Sequence, residues 1–208
     1  MSPEIVPLFH MAVSIAISVL IAWPFRHQLT PSHVVIGIIL DSSLRYTLLK
    51  VSHDTSFAWA TLLAFTAFSR LAWIDACTGR LPDAWTLPLL ATGGVHAIVV
   101  GYPSWPNALL GASMGYLVLY IVDRSWLALH HRHAIGGGDM KLLAALGAWS
   151  GIHTLLLLLS CACLMAACVG LAIGRHHQRT ATLPFGPFLV VAALLQQLLM
   201  RHWAPPLI

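Results

Sequence analysis

Charge is what this sequence has least of. Eleven Lys and Arg and seven Asp and Glu make up 9% of its 208 residues, against roughly 25% in a soluble globular domain. A soluble fold built from it would have almost nothing with which to cover its surface. Hydrophobic residues supply 58%, and several apolar segments reach the about 20 residues that a bilayer span needs. The composition therefore excludes a soluble domain and implies a polytopic, all-α membrane protein. Paired cysteines are missing too. Cys77, Cys161, Cys163 and Cys168 contain no CxxC, the close pairing that structural zinc uses, and three of them sit in an apolar run as small hydrophobes. No basic run interleaves with aromatics, so a nucleic-acid surface is excluded. There is no internal repeat. The first segment has no positive n-region of the secretory type, and it reads as a retained span.

What is there reads as about eight helices in one membrane-embedded domain, 1–208. Residues 1–55 would hold N-terminal helices and 56–203 a helical core. Spans are expected at about 7–25, 33–49, 56–74, 84–100 and 107–122. The second is interrupted by Asp41 and Arg45. Residues 75–83 form a loop or helix edge, and Gly101, Pro103 and Pro106 mark a turn. The longest polar stretch runs from Asp123 to Lys141. Residues 142–174 are too long for one straight span and fit a hairpin bent near Gly147, Ser150 and Gly151. A last span is expected at about 188–200.

Orientation follows from the basic residues. With the N-terminus outside, Arg26, Arg70, Arg80, Arg124, Arg132, Lys141, Arg175 and Arg179 fall inside or at inner span ends. Arg45, Lys50 and Arg201 do not. The loops holding Asp75 and Asp139 then share the cytoplasmic side. The eight tryptophans fall mostly near span ends, as in an interfacial belt.

An ionisable residue at the edge of a span is costly and marks function by default. Asp75 follows the apolar run Leu71-Ala72-Trp73-Ile74, and Asp139 stands between Gly136-Gly137-Gly138 and the run starting at Leu142. Two carboxyls brought close share one proton. The ionised one can take a proton from water while the protonated one polarises a carbonyl, which gives hydrolysis with no covalent intermediate. The glycines before Asp139 would allow unusual backbone angles and close approach of an extended peptide. The plainer reading makes both aspartates solvated helix-end residues, with Asp139 a favourable cap. His130, His131 and His133 have no acidic or thiol neighbour in sequence and read as a flexible loop at the headgroups. His176 and His177 read the same way.

Three stretches resemble a known family. Ile74-Asp75, Leu81-Pro82-Asp83 and Thr86-Leu87-Pro88-Leu89-Leu90 look like the first signature of type IV prepilin leader peptidases. The run from Gly136 through Asp139 to Trp149 resembles their GxGD signature, and Pro184-Phe185-Gly186-Pro187-Phe188-Leu189 their C-terminal segment. The resemblance covers roughly residues 70–200. It implies an aspartic endopeptidase of the bacterial inner membrane, with its active site facing the cytoplasm. Its substrates would be prepilins or pseudopilins bearing short basic leaders, and it would need no cofactor. The catalytic pair carries over to Asp75 and Asp139, with Gly136, Gly137, Gly138 and Lys141 as supporting residues. Asp83 reads as a helix-starting residue rather than a catalyst. Longer members carry an insert with paired CxxC motifs linked to N-methylation. The corresponding stretch here, about 26–32, holds no cysteine, so methyltransferase activity and a metal site are not expected. Two other readings stay open: a related GxGD protease with another substrate, and a proton-coupled transporter subunit using the two aspartates as a relay.

Overall fold

The computed structural model describes residues 55–174 and 184–203. The spans expected at 7–25 and 33–49, the stretch 26–32 and the pair His176 and His177 lie outside them. The described residues form six helices and no strand: α1 Thr55–Thr78, α2 Asp83–Val100, α3 Trp105–His130, α4 Gly137–Ser150, α5 Ile152–Gly174 and α6 Gly186–Trp203. Two compact units divide the chain at Gly79.

The first unit contributes α1. Phe68, Leu71 and Ile74 are buried along it, and Phe65 meets Phe68 edge to face at 5.9 Å. Two ionisable residues, Arg70 and Asp75, are buried on the same helix. The helix runs past the expected end at Ile74 through a further turn, where Thr78 Oγ1 donates to the Ile74 carbonyl and the Gly79 amide to that of Asp75.

The second unit is built around α4. Every residue from Leu142 to Ala148 is buried, because α2, α3, α5 and α6 all pack on this helix. The inward face of α3 is Ala108, Gly111, Gly115, Leu119 and Asp123, a step of three or four residues that keeps one side of a helix turned the same way. Its small residues let the backbones touch. A Cβ on Gly111 would collide with the Gly147 carbonyl oxygen, and one on Gly147 with that of Gly111. A Cβ on Gly115 would stand 2.7 Å from the Leu143 carbonyl oxygen. Such small-residue contacts suit helices in lipid, where no hydrophobic force drives association. From α4, Trp149 crosses to α2. Its indole nitrogen donates to the Leu89 carbonyl at 2.9 Å, its ring lies 4.8 Å from that of His96, and Gly93 leaves room for it.

The outside of this unit is apolar. Ile98, Val99, Leu109, Ile121, Leu156 and Leu164 are all exposed. Three helices, Asp83–Val100, Trp105–His130 and the Ile152–Leu171 part of α5, are long and apolar enough to cross a membrane. The described residues are thus all-helical and have the apolar exterior of an integral membrane protein.

Some boundaries differ from expectation. The span expected at 107–122 does not stop at Val122 but runs on as α3 to His130. Asp123 stays on the buried face, Arg124 lies 5.1 Å from the centre of the Tyr120 ring, and Trp126 stacks on His130 at 3.9 Å. These contacts carry the helix on through polar sequence. The hairpin bends at Gly151, where φ is +80° and few residues but glycine are comfortable. Gly147 is no part of the bend, since it is the contact point with Gly111. The first limb begins at Gly137 rather than Leu142, so the long polar stretch shrinks to the loop 131–136.

Candidate active site

Asp139 sits in the first turn of α4, where its amide donates to the Gly136 carbonyl at 3.1 Å. The N-terminal end of a helix favours a negative side chain. The residue is half-buried, between exposed Gly137 and buried Met140.

The three glycines before it are not alike. None of them has a positive φ, and Gly136 is extended at φ −69° and ψ 141°. The expectation of unusual backbone angles is therefore corrected: this run adopts conformations open to any residue. Gly138 is needed for space, because a Cβ there would stand 2.7 Å from Leu81 Cβ. Around Gly137 that position is empty to 4 Å. Gly138→Ala should accordingly cost about 1–3 kcal/mol by overpacking, while Gly137→Ala should stay within about 0.5 kcal/mol. Thermal unfolding in detergent measures both, and equal losses would contradict the assignment of the contact to Gly138.

Lys141 lies one turn into the same helix. Its ammonium donates to Asp83 Oδ2 at 2.6 Å, tying α4 to the first residue of α2. The side chains are 32% and 56% exposed, so screening leaves the pair worth roughly 0–1 kcal/mol. Asp83 starts its helix as expected and has this second connection besides.

Asp123 is the residue that sequence reasoning missed. It is 3% exposed. Its Oδ1 accepts the amides of Ala134 at 2.9 Å and Ile135 at 3.1 Å, and its Oδ2 meets His133 Nδ1 at 2.8 Å. The reading of His133 as lacking an acidic partner is therefore corrected: the partner stands ten residues earlier. The signal was present, since Gly111, Gly115, Leu119 and Asp123 share one helical register.

Asp75 belongs to the first unit and lies in the last turns of α1, with 5% of its surface exposed. An ionisable residue buried near the edge of an apolar helix is a functional candidate by default. Among the described residues no three His, Cys, Asp or Glu side chains gather as metal ligands. Asp75 and Asp139 are each a carboxyl group near a helix end, a kind of group able to transfer a proton.

Comparison with known proteins adds the following. The type IV leader peptidase family matches over residues 60–171. A prepilin leader peptidase/N-methyltransferase of Aeromonas hydrophila is 39% identical over 139 residues, 64% of this chain and 48% of that protein. Proteins of the same name from Dickeya chrysanthemi and Neisseria gonorrhoeae are 38% and 36% identical, each over 72% of this chain and over 58% and 56% of their own length. The chain spans about half the length of the curated relatives it matches. No solved structure matches it.

Proposed function

The chain belongs to the type IV leader peptidase family, and from that premise we propose that it is a membrane aspartic endopeptidase that cuts short basic leaders from prepilins or pseudopilins. The observation that carries this reading is that the family match runs over both Asp75 and Asp139. In the proposed reaction one carboxylate takes a proton from water. The resulting hydroxide attacks the scissile carbonyl, while the second, protonated carboxyl donates to the carbonyl oxygen. Collapse of the tetrahedral gem-diol breaks the C–N bond: the proton held by the first carboxyl passes to the departing amine, and one hydroxyl of the gem-diol returns its proton to the second carboxylate as the C=O re-forms. Both carboxyls end as they began, and no covalent intermediate forms.

The scatter of Lys and Arg supports an active site on the cytoplasmic side of the inner membrane. The 208 residues carry no CxxC pair, which supports cleavage without N-methylation. One experiment tests all three points: leader-bearing prepilin added to sealed vesicles that hold this chain as the sole processing enzyme. Inverted vesicles should cleave it and right-side-out vesicles should not, and mass spectrometry should find the new N-terminus unmethylated. Cleavage only from the periplasmic side would overturn the orientation. A methylated product would overturn the peptidase-only reading. Proton flux with no cleavage would favour a transport role.

A further inference from the structure

We propose that Asp123 is a positioning residue for the reaction: its carboxylate clasps the loop 131–136 and so sets the first turn of α4, which carries Asp139. The role rests on the peptidase reading proposed above.

The geometry is economical. Six residues separate α3 from α4. The loop starts at His131, in the left-handed region at φ 54°, whose amide caps α3 by donating to the Leu127 carbonyl at 2.8 Å. It ends at Gly136, whose carbonyl accepts the Asp139 amide. Between these two fixed points, His133, Ala134 and Ile135 all hydrogen-bond to the one carboxylate. A carboxylate accepting two amides is a charge-assisted anchor, roughly twice as strong as neutral hydrogen bonds. Asp123 itself cannot drift, because it lies on the face of α3 that packs against α4 through Gly111 and Gly115. The loop is thus pinned to the same helix that sets where α4 runs. Downstream, the Gly138 contact with Leu81 and the Lys141 bond to Asp83 hold the other side of that turn.

Ile135 stands four residues before Asp139, so without the clasp the entry to α4 loses its reference point. A displacement of about 1 Å at a reacting group costs on the order of 100-fold in rate. Asp123 is buried and bonds only to the loop, so substrate affinity should not depend on it. Its effect belongs in kcat.

The test compares Asp123→Ala, Asp123→Asn and His133→Ala in the full chain, in detergent or nanodiscs. Rates are taken per folded molecule on a leader-bearing prepilin, and amide hydrogen exchange is read across 131–139. Asn keeps an oxygen for both amides. Asp123→Ala should lower kcat by about 100-fold with KM within about threefold, and should speed exchange at Ala134 and Ile135 by about tenfold or more. Asp123→Asn should restore slow exchange and most of kcat. His133→Ala, which keeps both amide bonds, should fall between. If Asp123→Ala unfolds the protein, the Asn and His133 variants still decide. Normal kcat with fast exchange, or equal loss in Asn and Ala, would overturn the proposal. If the unaltered chain cleaves no leader, the peptidase reading fails and the positioning role goes with it. Active wild type with an indifferent Asp123 sinks the positioning role alone.

Discussion

Asp75→Asn and Asp139→Asn should each lower cleavage of a leader-bearing prepilin by about 10²–10⁴-fold, the usual range for a general acid or base. Asn keeps the size and polarity of Asp but cannot exchange a proton, so the substitution isolates the chemistry from the packing. If the two act as one unit, the double variant should be little worse than either single one. Asp83→Asn should be far milder, since its partner Lys141 is part-exposed and their bond is worth little. All these variants should accumulate in the membrane, because neither Asp75 nor Asp139 contributes apolar surface. The measurement is cleavage in membranes normalised to protein level. Near-normal turnover by either single Asn variant would falsify the two-aspartate mechanism, while the family membership would stand.

The second large effect is on folding. Gly147→Val should prevent recovery of monodisperse protein or sharply lower its thermal midpoint. The added Cβ would press on the Gly111 carbonyl oxygen. A backbone atom in the middle of a helix cannot rotate aside as a side chain would, so α3 and α4 would have to separate. Overpacking of this kind costs about 1–3 kcal/mol and occasionally more, out of a total stability of about 5–15 kcal/mol. Gly94→Ala is the matched control. That glycine lies in α2 with nothing within 4 Å of the Cβ position, so the change should be neutral or slightly stabilising. Size-exclusion profiles and thermal unfolding in one detergent compare the two. If they behave alike, the tight contact between α3 and α4 is not what holds this unit.

Long apolar runs were legible in the sequence where turn residues bound them. The expected span 84–100 matches α2 to within a residue, and 188–200 lies inside α6. The helix end placed at Val122 comes from reading polar residues as the end of a span. Asp123 and Arg124 looked like the edge of the membrane. One of them is buried and bonded, and the other lies over a tyrosine ring. Gly147 looked like a bend because a glycine's use as a contact surface depends on a helix 36 residues earlier, at Gly111. Within the candidate site, motif and position single out Asp75 and Asp139, and Asp83 was legible as a helix start. The clasp was not, since it needs the chain to fold back across ten residues before His133 meets Asp123.

The shortness of α4 bears on where water reaches this protein. Fourteen residues of α-helix rise about 21 Å, whereas the hydrocarbon core is about 30 Å thick. A helix of that length cannot reach from one headgroup layer to the other, and any part of its backbone within the hydrocarbon must be either enclosed by protein or wetted. The two ends differ. Gly151 is buried, and a Cβ on it would meet Pro103 at 3.1 Å, so that end is sealed. At the other end Gly136 and Gly137 are exposed. The exposed end is therefore the one that carries Asp139. On the proposed function, the hydrolase would draw its second substrate, water, at this exposed end of α4.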